Sequence, residues 1–135
     1  MKKSISLVLY LIAVLTVFNC SEEDNNDTSA PEVSFVSPTL NSIFELGNIS
    51  EDGISIELDI VDNVRIGSLS IEIKDANENT VYTFVDTQVF SSDLDNYHLI
   101  ENFKPEASGN YFIQCFVSDT SFNNVESDIV EIVVE

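Results

Sequence analysis

With 24 aspartates and glutamates in 135 residues, some carboxylates must lie close together by chance, so chemistry has to be sought in groups of distinctive type and spacing. Two short clusters of oxygen donors qualify: Asp62-Asn63, and Asp119 with Asn123 and Asn124. Carboxylate and amide oxygens are the ligands that calcium takes. The same residues are ordinary in tight turns, where their side chains accept hydrogen bonds from nearby backbone amides. A third cluster, Asp75-Ala76-Asn77-Glu78-Asn79, matches the opening of a twelve-residue calcium loop, and Asp86 falls at its twelfth position. Thr80 stands where the sixth-position glycine is required, and Val81 to Val85 reads as strand through what should be loop, so this segment is expected to be an Asx-bonded turn.

The single histidine, His98, lies between Tyr97 and Leu99 with no nucleophile or metal partner near it in sequence, and reads as a structural or surface residue. Cys115 belongs to the alternation Tyr111, Ile113, Cys115, Val117, which puts it on the apolar face of a strand as a buried, unreactive thiol. No catalytic residue is assigned, and the expectation is a protein that is not an enzyme.

Elements must position these groups. Val33, Phe35 and Pro38 read as a short strand stopped by proline. Ile43, Phe44 and Leu46, leading into Gly47, read as a strand that switches sheets. Ile54, Ile56, Leu58 and Ile60 alternate with Ser55, Glu57, Asp59 and Val61, and Leu69, Ile71 and Ile73 repeat the pattern, as half-buried strands require. The Asp75–Asn79 turn then leads into Val81–Val85, most simply as a hairpin. Gln88 to Asp95 reads as loop or ragged edge, Tyr97–Phe103 as strand, Pro105–Gly109 as a corner, and Tyr111–Ser118 and Ile129–Val134 as the last two strands. No segment sustains a 3.6-residue period. Seven or eight short strands at this spacing predict an all-β chain folded as a β-sandwich.

Lys2 and Lys3, the 14-residue run Ile5–Phe18 broken only by Ser6 and Thr16, and Cys20 directly after Asn19 have the layout of a signal peptide. The run is shorter than the roughly 20 apolar residues that cross a bilayer core. Val17-Phe18-Asn19-Cys20 resembles the lipobox of secreted bacterial lipoproteins, which implies that residues 1–19 are removed and that Cys20 is lipidated as the mature N-terminus. Residues 20–30 then form an acidic spacer too polar to pack. Its Ser21–Asp27 portion is similar to the acidic export signal of Bacteroidetes surface lipoproteins, which implies a cell-surface place on the bacterial outer membrane; by charge alone it is a solvated linker. The remaining chain carries Arg65, Lys74 and Lys104 against 24 carboxylates, or 3 − 24 = −21. Such a surface repels nucleic acid, which is excluded as a partner, and attracts cations or basic proteins.

Residues 31–135 make one domain. Val61-Asp62-Asn63-Val64-Arg65-Ile66, Gly109-Asn110-Tyr111 and Val117-Ser118-Asp119-Thr120-Ser121-Phe122-Asn123 resemble the D-N-x-x-[IV], G-x-Y and V-x-D-x-x-x-N signatures of bacterial immunoglobulin-like modules. The whole segment is similar to short Bacteroidetes lipoproteins with a single Ig-like domain of unknown function, which implies an Ig-like sandwich. Gly109 permits the bend after Pro105, and Tyr111 is placed to return its hydroxyl to that corner. Ile113 stands where antibody domains place a cysteine, so the interior is expected to close by aliphatic packing.

Two functions follow. In an Ig-type sandwich the loops after the second and sixth strands share an end, which brings Asp62 and Asn63 near Asp119 and Asn123 as a candidate calcium site, with no other cofactor implied. If Tyr111, Ile113, Cys115 and Val117 point inward, Phe112 and Phe116 point outward; with Ile129 and Val133 on a paired last strand they form an apolar stripe for a partner. The leading expectation is a lipid-anchored, non-catalytic binding or accessory module that meets another envelope protein through this stripe. The alternative is a calcium-binding module.

Overall fold

The computed structural model describes residues 27–87 and 96–135; the readings of the signal peptide, of Cys20 and of residues 88–95 lie outside them. Among the described residues nine strands follow in order: β1 (Glu32–Ser37), β2 (Ser42–Phe44), β3 (Ile54–Val61), β4 (Ile66–Asp75), β5 (Thr80–Asp86), β6 (Asn96–Phe103), β7 (Gly109–Asp119), β8 (Asn124–Glu126) and β9 (Val130–Val134). The one helical element among the described residues is a 3-10 turn at Leu46–Asn48. The strands form two sheets, β1-β3-β6 and β2-β9-β7-β4-β5, with β8 also paired to β7. The chain is an all-β, Ig-like β-sandwich.

The predicted sheet switch is present. β1 lies antiparallel to β3 in one sheet, and after Pro38 the chain crosses to lay β2 parallel to β9 in the other. The strand absent from the sequence reading is β8, whose three residues are too short to show an alternation.

Period-two patterning decides which side chains meet. On β3, Ile54, Ile56, Leu58 and Ile60 are buried, and on β7, Tyr111, Ile113, Cys115 and Val117 are buried. These join Leu69, Ile71 and Ile73 of β4 and Val130, Ile132 and Val134 of β9 in one apolar cluster. The register of β4 shifts between Ile73 and Lys74 where it pairs with β5, and between Ile66 and Ser68 where it pairs with β7. A Cβ on Gly67, within the latter shift, would lie 2.8 Å from the Asp119 carbonyl oxygen. Glycine therefore lets β4 pass close to the end of β7. At the corner before β7 the Tyr111 hydroxyl donates to the Ala107 carbonyl at 2.7 Å, and the Tyr111 ring packs edge-on against Phe103.

Ile71 is fully buried at the centre of the larger sheet. Ile71→Ala should cost about 2–5 kcal/mol of folding free energy, read as a lower urea midpoint at unchanged slope. A midpoint equal to wild type would show that the inter-sheet core is not where the structure puts it.

Candidate functional site

β3 and β7 belong to different sheets but end at the same end of the sandwich, β3 running directly into Asp62 and β7 finishing on Asp119. Asp62 and Asp119 lie on the inward parity of their strands: the series 54, 56, 58, 60 extends to 62, and 111, 113, 115, 117 extends to 119. Both are consequently buried, at 7% and 2% exposure. The two carboxylates close the open end of the apolar core.

Their surroundings differ. Asp119 Oδ1 accepts hydrogen bonds from the backbone N–H groups of Ser121 (2.7 Å) and Asn123 (2.9 Å), and its Oδ2 accepts one from Asn123 Nδ2 (2.7 Å). Asp62 Oδ1 accepts from the Asn63 N–H at 2.8 Å, while its Oδ2 is buried and has no hydrogen-bond partner among the described residues. Burial pushes the Asp62 carboxyl above its ordinary value, and the negative charges of Asp119 and Asp27 push the same way, against the backbone N–H groups of Asn63 and, more weakly, Val64.

Asp27 is the third member. One carboxylate oxygen from each of Asp27, Asp62 and Asp119 lies within 4.8 Å of the others. Asp27 Oδ1 accepts from Asn63 Nδ2 at 2.8 Å and from the Ser29 N–H at 3.2 Å. Its Oδ2 and its carbonyl accept from Asn123 Nδ2 at 3.0 and 3.1 Å. The Asn63 amide, foremost, holds the Asp27 carboxyl below its ordinary value. Asp27, within the segment expected to be a spacer, thus reaches the loop end through hydrogen bonds, while Thr28, Ser29 and Ala30 stay exposed. Composition did not reveal this, because the contact is two specific hydrogen-bonded amides rather than apolar burial.

The structure brings together all four residues of the expected calcium set, Asp62, Asn63, Asp119 and Asn123, and adds Asp27. It also assigns the asparagines another part. Asn63 and Asn123 turn their amide nitrogens to the carboxylates, so they are donors that hold the acidic cluster together. Asn124 stays outside it and donates to the Phe122 carbonyl. Among the described residues no lysine, arginine or histidine pairs with the three carboxylates; the ion pairs are Lys74–Glu72 and His98–Asp59. A concavity of about 380 Å³ lined by Ser29, Ala30, Glu32, Val61, Asp62 and Asn63 opens beside the cluster.

The other candidates fall elsewhere. His98 Nδ1 lies 2.7 Å from Asp59 Oδ1 on the outer face of the smaller sheet, both groups about half exposed. Cys115 is a free, buried thiol whose ionisation burial pushes up to about 12, so it stays protonated and inert. In the Asp75–Asn79 turn, Asp75 Oδ1 accepts from the N–H groups of Asn77 and Asn79, and Asn79 Nδ2 reaches both Asp75 carboxylate oxygens.

Phe112 and Phe116 do face outward and are half-buried, but the stripe expected of Phe112, Phe116, Ile129 and Val133 is broken. Register places Glu131 opposite Phe112 and Asn110 opposite Val133, and Gln114 separates the two phenylalanines. Phe112 and Ile129 share a concavity of about 540 Å³ with Lys74, Asp75, Ala76 and Glu78. Phe116 lines a different one, with Val85 and Thr87.

No protein-family model matches the sequence, and neither does any curated protein. Among solved structures the chain is similar to the fibronectin(III)-like modules of Clostridium thermocellum CbhA, at 15% identity over 77% of this chain and 46% of that one, with a TM-score of 0.44. The chain spans about half the length of that structure.

Proposed function

We propose that this chain is a non-catalytic accessory module of the bacterial cell envelope, anchored to the outer membrane by lipid on Cys20, whose loop end binds a divalent cation of the calcium type. The observation that carries the cation reading is the Asp62 carboxylate, buried with Oδ2 unpaired, beside two more carboxylates and without a basic counter-ion. A buried charge is costly unless something neutralises it, and a cation supplies that neutralisation for all three groups at once. The three oxygens lie within 4.8 Å of one another, and carboxylate oxygens are the ligands that a hard cation such as calcium takes. Rotation of the Asn63 and Asn123 amides would offer further oxygens.

A partner reading keeps one place on the outer face. The concavity between Phe112 and Ile129 is apolar on one side and bordered by Lys74 and Glu78 on the other, and an envelope protein is the partner proposed for it.

Calcium at 100 times its dissociation constant adds about 2.7 kcal/mol to the folded state. For a domain of this size that raises the melting temperature by roughly 10 °C or more over the protein in chelator. No shift, and no heat on titration with millimolar calcium chloride, would sink the cation reading. Asp62→Asn removes the unpaired charge while keeping the acceptor for Asn63. In chelator it should melt higher than wild type, by roughly 4–8 °C if about 1 kcal/mol is relieved, and its melting temperature should not respond to calcium. A lower melting temperature in chelator would mean that the carboxylate has a partner in the folded protein. For the anchor, Cys20→Ser should move the protein from the membrane to the soluble fraction of a lipoprotein-processing bacterium. Unchanged fractionation would refute lipidation at Cys20.

A further inference from the structure

Asp27 lies outside the sandwich, five residues before the start of β1 (32 − 27 = 5), yet it contacts the loops that follow β3 and β7. Thr28, Ser29 and Ala30, which join it to the first strand, are exposed. What holds this segment against the domain is therefore the Asp27 side chain and carbonyl. Two amides, Asn63 and Asn123, attract the Asp27 carboxylate, while the carboxylates of Asp62 and Asp119, within 4.8 Å, repel it. Asn123 Nδ2 is itself shared among Asp119 Oδ2, Asp27 Oδ2 and the Asp27 carbonyl, three acceptors for two hydrogens. The attachment thus sets hydrogen bonds from two amides against the charges of two neighbouring carboxylates.

Resting on the cation reading above, we infer that the site is also a latch: a divalent cation shared by Asp27, Asp62 and Asp119 fastens the N-terminal segment to the loop end, and its removal releases that segment. The buried, unpartnered Asp62 Oδ2 marks the cluster as a site for a ligand rather than a chance meeting of acidic groups. Two of the three carboxylates come from the ends of β3 and β7 in different sheets, and the third is the only one able to leave without unfolding a strand. Cation occupancy and segment docking are thus one equilibrium. With Cys20 lipidated, seven residues (27 − 20 = 7) separate the anchor from the latch. The start of β1 lies at this same end, Glu32 opposite Val61, so at about 3.5 Å per extended residue a closed latch shortens the reach of the tether from roughly 40 Å to roughly 25 Å.

The test is amide hydrogen exchange and calorimetry on the full chain, wild type and Asp27→Asn, in chelator and in millimolar calcium chloride. Asparagine keeps one acceptor for Asn63, so the variant's melting temperature in chelator should stay within a few degrees of wild type. The expected result is that calcium slows exchange across residues 27–30 at least tenfold in wild type and not in Asp27→Asn, which also binds calcium at least tenfold more weakly. If calcium binds both chains equally, or exchange at residues 27–30 ignores calcium that demonstrably binds, the latch is overturned and the cation site stands. If wild type takes up no calcium, both fall together.

Discussion

The end of this molecule depends on how its middle is packed. Two sheets are pressed together by Ile56, Leu58 and Ile60 from β3 and by Ile71, Ile73, Ile113, Cys115 and Ile132 from the larger sheet, with Ile113 where antibody domains place a cysteine and Cys115 a free, buried thiol. Once those residues point inward, strand geometry leaves no choice for the next inward positions, because a side chain two residues on faces the same way. On β3 and β7 those positions are Asp62 and Asp119. A chain selected only for a stable sandwich would carry an aliphatic or a hydroxyl there. Local patterning that breaks its own rule at two facing strand ends is the kind of departure expected where stability is given up for function.

Much of this was legible in the sequence, for a simple reason: alternation over four or more residues has only one structural solution. The long strands follow from it and, with the turn residues of Asp75–Asn79, the β4–β5 hairpin; the sheet switch rests instead on the broken pattern of Ile43, Phe44 and Leu46, and the tyrosine corner on the Gly109-Asn110-Tyr111 motif. The meeting of Asp62 with Asp119 followed from topology. Extending the parity of each strand by one more step would also have shown that both aspartates are buried, which loop composition alone does not say.

What could not be read were features set by register and by single contacts. Alternation says which residues of β7 and β9 point outward but not which face one another, and the actual register sets Glu131 beside Phe112, so the apolar stripe divides. Asp27 sits in a tract whose polarity argues against packing. Its place is fixed by Asn63 and Asn123, 36 and 96 residues away. An asparagine in a sequence is equally a donor and an acceptor, and here only the geometry identifies both as donors.

The acidity of the chain makes its own controls for the central site. Glu101 also lies on an inward parity, on β6, and there the Tyr82 hydroxyl donates to its Oε2 at 3.0 Å across the gap between the sheets. Asp75 belongs to a turn of nearly the same composition as the candidate site, and both of its carboxylate oxygens accept hydrogen bonds from within that turn. Neither group is left with an unmet requirement. Asp119, the most buried of the carboxylates, is satisfied by two backbone amides and one side chain. Asp62 is buried with one oxygen bonded and the other bare, and its nearest ionisable neighbours carry its own sign. Residue type and proximity are common to all four positions. The unmet oxygen is what sets Asp62 apart, and it is this oxygen that the proposed cation would meet while also offsetting the two charges beside it.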